Sequence, residues 1–111
     1  MPPETNSLSA QCGLSPATIV KIIAVFAQYP VLEKAVLYGS RAKGNYRPGS
    51  DIDLSLLGDT LSHAQLAHIE TQLDDLLLPY SFDLSLFRHI DNPDLVDHIQ
   101  RVGIVFYEKI A

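Results

Sequence analysis

The chain has a single cysteine, Cys12, among 111 residues. That rules out an internal disulfide and a thiolate metal cluster, and it fits a reducing compartment. Long hydrophobic runs are lacking too. No segment approaches the roughly 20 apolar residues of a membrane span, and Met1 to Leu14 carries acid, Ser, Asn and Pro where a signal peptide has base and an apolar run. A cytoplasmic protein without a membrane partner is expected. Positive charge is scarce: 8 Lys and Arg face 13 Asp and Glu, for a net charge of −5. The field of the whole molecule therefore does not attract nucleic acid, and no direct nucleic-acid binding is expected. Repeats and low-complexity tracts are absent, and the length allows one domain.

What is present is concentrated between Gly39 and Asp53. The apolar run Ala35-Val36-Leu37-Tyr38 reads as a strand that stops at Gly39, which can take backbone angles closed to other residues. Ser40 suits the N-cap of a short helix through Arg41, Ala42 and Lys43, ended by Gly44. The free N–H groups and positive dipole end of such a helix favour a phosphate. Arg41, Lys43 and Arg47 add charge, and three of the eight Lys and Arg within seven residues of an acidic chain favour a small polyanion. Arg47 reads equally well as a surface residue.

Tyr46 to Ser50 is turn chemistry, and Asp51-Ile52-Asp53-Leu54-Ser55-Leu56-Leu57 alternates as a strand with one buried side. Asp51 and Asp53 then share a face, with Cα atoms roughly 6.6 Å apart. Two carboxylates so placed repel unless cations sit between them, and paired catalytic metals lie about 3.5–4 Å apart. Hard oxygen ligands point to Mg²⁺. A later strand, Ser81 to Phe87, places Phe82, Leu84 and Leu86 on its apolar face, which leaves Asp83 on the other. If the two strands are neighbours, Asp83 joins Asp51 and Asp53 as a third ligand of a two-metal site.

Around this stretch, residues 1–14 read as a loosely ordered or lightly helical segment and 15–111 as one domain. Ser15-Pro16 starts a helix with Ile19, Ile22, Ile23, Phe26 and Ala27 on its buried face, closed by Pro30. Ser62 and Gln65 form a capping box for a helix carrying Leu66, Ile69, Leu73, Leu76 and Leu77 inward. Asn92-Pro93 opens a last helix, with Leu95, Val96 and Ile99 inward and Gly103 as its stop. Ile104 to Tyr107 is then a closing strand, expected beside the strand of Asp83. His63 and His68 read as surface residues without a partner at metal-ligand spacing, and His89 and His98 as isolated. The elements suggest an α/β (α+β) fold: a mixed sheet of about four strands, helices on one face and the site on the other.

Gly39-Ser40, ten residues, then Asp51-Ile52-Asp53 resembles the signature of the DNA polymerase β-like nucleotidyltransferase superfamily. The wording Gly-Ser-Arg-Ala-Lys-Gly and Ser-Asp-Ile-Asp-Leu is similar to the minimal nucleotidyltransferases, the MNT group often paired with HEPN-domain proteins as toxin–antitoxin systems. The resemblance implies the same fold and transfer of a nucleoside monophosphate, with AMP from ATP as the family's expectation, to a hydroxyl. It implies a site in which Asp51, Asp53 and Asp83 hold two Mg²⁺ ions and Gly39, Ser40, Arg41 and Lys43 bind the nucleoside triphosphate, Arg41 more than Lys43. Larger relatives add a helical domain that this chain, ending at Ala111, leaves out, so a protein partner is expected to supply the acceptor: a tyrosine of a HEPN-type toxin. Two alternatives stay open: a catalytically idle antitoxin that occludes its partner, and a small-molecule (antibiotic) nucleotidyltransferase acting as a homo-oligomer.

Overall fold

The computed structural model describes residues 5–109. Helix α1 (Thr5–Cys12) is followed by α2 (Pro16–Phe26), where the Ser15 side chain accepts from the Thr18 N–H and Pro16 occupies the first turn. Strand β1 (Lys34–Tyr38) leads to the single turn α3 (Ser40–Lys43), and β2 (Ile52–Leu57) follows. Helix α4 (His63–Asp74) begins at the anticipated capping box, with both hydrogen bonds of Ser62 and Gln65 formed. Strand β3 (Phe82–Leu86), a 3₁₀ turn (Phe87–His89), α5 (Pro93–Val102) and β4 (Ile104–Glu108) complete the chain.

The strands form one mixed sheet in the order β3-β2-β1-β4. β1 is antiparallel to β2 and β4, while β2 and β3 are parallel and joined through α4, since a parallel neighbour needs a crossover. Strand β4 therefore lies on the far edge from β3, which corrects its expected place beside the strand of Asp83. Alternation along the strands sends Ala35, Leu37, Ile52, Leu54, Leu56 and Leu86 to one side. They form the core there with Ile19, Ile22, Val25 and Phe26 of α2 and Leu66, Ile69 and Leu73 of α4. Helix α5 is the exception to helices on that face. Its His98 meets the ring of Tyr38, and a methyl on Gly103 at its end would touch Val36, so it covers the other side of β1.

Several local readings are corrected. Of the two readings of the first segment the helical one holds over Thr5–Cys12, and Leu8 and Cys12, with the following Leu14, are buried in the core. Three scattered apolar residues carry too little periodicity to decide between the readings. Residues 1–4 lie outside the described residues. Ala27 is exposed, and Val25 takes its place in the core. Leu77 lies beyond the end of α4 with φ 55° and is 88% exposed, because α4 ends before it and the helical spacing no longer applies.

Candidate active site

The parallel register of β2 and β3 sets Asp53 directly against Asp83. Their strand neighbours Ile52, Leu54, Phe82 and Leu84 point to the core side, so both acids face away from it, above neighbouring strands about 4.8 Å apart. On the other side of Asp53, its partner on β1 is Tyr38. Burial raises the Asp53 carboxyl above the ordinary value for aspartate, and the charges of Asp83 and then Asp51 push it the same way. Burial likewise raises the Tyr38 hydroxyl, against a hydrogen bond with Ser85, and Asp83 and Asp53 add to the rise. These acids feel each other, and no basic group features among the causes of the Asp53 shift.

Asp51 precedes β2 instead of heading it, and it is exposed. Among the described residues no three His, Cys, Asp or Glu side chains gather closely enough to hold a metal ion together. The strand register pairs Asp53 with Asp83, and Asp51 acts on Asp53 through its charge.

Gly39 is in contact with this pair. Its φ of 76° and ψ of −155° belong to a region that only glycine enters readily. A methyl group on it would lie 2.4 Å from Oδ2 of Asp53. The backbone of the turn is thus pressed against the carboxylate. Gly39 is also the N-cap of α3, with Ser40 already inside the helix, which corrects the assignment of the cap to Ser40.

Arg41 is the main correction. It is 1% exposed, and its guanidinium donates to the carbonyls of Cys12 (2.9 Å), Ser50 (3.0 and 3.1 Å) and Pro48 (3.4 Å). The rings of Tyr46 and Tyr80 lie 5.2 and 4.9 Å from its central carbon. A guanidinium so engaged ties the 45–50 loop to the end of α1 and does not reach a phosphate. Lys43 and Arg47 are exposed and remain the cations of this loop that solvent and ligands can meet.

Sequence reading missed three neighbours. Tyr38 has the same parity as Lys34 and Val36, and that signal would have placed it beside the acids. The contacts of His98 with Tyr38 and of His63 with His89 join distant segments and leave no local trace. A cavity of about 540 Å³ lies elsewhere, against Lys34, Gly58, Asp59 and Lys109 among others. Its charges are engaged at home: Lys34 with Glu108 at 3.7 Å, Lys109 with the Pro30 carbonyl and Glu33 with the Asp59 N–H.

Residues 20–110, which contain the turn and all three acids, match the polymerase beta nucleotidyltransferase family. The chain belongs to this family. It is a nucleotidyltransferase, and its mixed sheet is the polymerase β-like fold. No curated protein matches the sequence. Among solved structures, a chain of a toxin–antitoxin crystal structure with AMP-PNP is 25% identical with a TM-score of 0.65, covering 86% of this chain and 75% of its own. A chain from the complex of tri-AMPylated Shewanella oneidensis HEPN toxin with MNT antitoxin is 23% identical with a TM-score of 0.61, covering 84% and 71%. A Sulfolobus solfataricus protein described as a nucleotidyltransferase shares the fold at 18% identity and a TM-score of 0.50, over 96% and 90%.

The family implies divalent ions, and the donor set suits them in part. Asp53 and Asp83 offer adjacent hard oxygen donors, and the Asp53 carboxyl is raised first by burial and then by the charges of Asp83 and Asp51, the part that a dication would relieve.

Proposed function

We propose that this nucleotidyltransferase acts as an MNT-type antitoxin, moving AMP from ATP to a tyrosine hydroxyl of a HEPN-type partner in a Mg²⁺-dependent reaction in the cytoplasm. The observation that carries the reading is the Asp53–Asp83 pair beside the Gly39 turn. The likeness to chains from a toxin–antitoxin structure with AMP-PNP and from a complex with an AMPylated HEPN toxin supports the nucleotide and the partner.

In this mechanism Asp51, Asp53 and Asp83 would hold the divalent ions. Bound divalent ions supply neutralisation of phosphate charge and a lowered pKa for the acceptor hydroxyl. Gly39 lets the backbone come close to the nucleotide, and the first N–H groups of α3 from Ser40 onward face the phosphates. Lys43 offsets charge on the departing pyrophosphate. Arg41 keeps the loop in shape for these contacts. The acceptor oxygen bonds to the α-phosphorus as the bond to pyrophosphate breaks, and the acceptor proton passes to solvent or to a carboxylate.

A second reading, an antitoxin that works by contact alone, draws on the position of Asp51 and the burial of Arg41. Intact-mass measurement of the HEPN-type partner co-expressed with this chain separates the two. The enzymatic reading expects AMP adducts with wild type, and none, together with failed neutralisation, with Asp53→Asn/Asp83→Asn. Neutralisation by the double variant with an unmodified partner would establish the contact reading instead.

A further inference from the structure

Two histidines far apart in sequence meet at the end of β3 away from Asp83. His63 is the first residue of α4, and His89 closes the 3₁₀ turn after β3. Nδ1 of His89 lies 2.9 Å from Nε2 of His63, with ring centroids 4.8 Å apart and planes inclined by 29°. Both side chains are exposed. Their backbones are fixed by contacts that do not involve the rings. The capping box holds the start of α4, and Arg88 donates to the carbonyls of Gly58 (2.6 Å) and Leu61, which binds the segment before His63 to the turn carrying His89. The rings are thus brought together by the scaffold, as a preorganised site requires.

Two imidazole nitrogens this close share either a proton or an ion. Metal–nitrogen bonds of about 2.0–2.1 Å place two nitrogens on one ion about 2.9 Å apart at a right angle and about 3.4 Å apart at the tetrahedral angle. The observed separation is at the near end of that range. We propose that His63 and His89 form a two-imidazole chelate for a borderline divalent ion, with Zn²⁺ as the representative. Imidazole suits Zn²⁺, Cu²⁺ and Ni²⁺, whereas Mg²⁺ prefers oxygen donors, so ligand chemistry separates this site from the carboxylate pair. No third His, Cys, Asp or Glu completes a cluster among the described residues, and the exposure of both rings leaves the remaining coordination positions to water.

The test uses the full chain without an affinity tag, titrated with ZnCl₂ in excess Mg²⁺ so that the oxygen-donor site is occupied. Calorimetry should show binding that His63→Ala and His89→Ala each weaken by about tenfold or more and that His68→Ala leaves unchanged. In NMR spectra of the imidazole groups, Zn²⁺ should move the signals of His63 and His89 and leave those of His68. Equal affinity in wild type and both alanine variants, or ring signals unmoved by a several-fold excess of Zn²⁺, would reduce the pair to a hydrogen bond and overturn the proposal. Both substitutions fall on exposed side chains, so loss of folding does not obscure the result.

Discussion

Gly39, held at positive φ, lies so close to Asp53 that a methyl added to it would come 2.4 Å from Oδ2 of the carboxylate. Gly39→Ala should abolish nucleotide transfer and cost about 1–3 kcal/mol of stability through backbone strain, read as a lowered Tm and lost labelling. Asp53→Asn should also abolish transfer but make the protein more stable near neutral pH. The Asp53 carboxyl is raised by burial, Asp83 and Asp51, so between its unfolded and folded values the native state binds more protons than the unfolded one. Stability from this group therefore falls as pH rises through the folded value and returns on acidification. Urea midpoints should show a gain for Asp53→Asn at neutral pH that shrinks as pH is lowered. A gain that grows on acidification would mean that Asp53 is stabilised as an anion. The opposition of Asp53 and Asp83 was legible beforehand, because a strand period of two fixes which side each acid takes. That Asp51 falls one residue before β2 was not, since where a strand begins depends on its pairing partners.

At the level of elements, Arg41 shows how a motif residue can serve the scaffold. A lysine cannot reproduce a planar fork that spans the carbonyls of Cys12, Ser50 and Pro48. Arg41→Lys should therefore lower stability by about 2–3 kcal/mol while the KM for ATP stays near wild type at a temperature where the variant is folded. An unchanged Tm with a raised KM would make Arg41 a phosphate contact after all. The sequence placed α4 well because its capping box is local, and α2 because proline and an N-cap mark its start. It missed the burial of Arg41, whose contacts include a long-range one: the Cys12 carbonyl lies 29 positions from its donor. The edge position of β4 is also non-local, fixed by pairing with β1.

For the whole molecule, one topological fact makes the site. The β2–α4–β3 crossover brings two strands into parallel register, and with it two aspartates side by side on the sheet face opposite the main core. In the proposed mechanism AMP passes from ATP to the acceptor at this pair, with divalent ions required. The most direct measurement incubates the protein and its HEPN-type partner with ATP labelled at either the α or the γ phosphate, with Mg²⁺ or with chelator, using wild type and Asp83→Asn. Label should enter the partner from α-labelled ATP only, with Mg²⁺ only and with wild type only. Label arriving from the γ position, or arriving equally with Asp83→Asn, would contradict it.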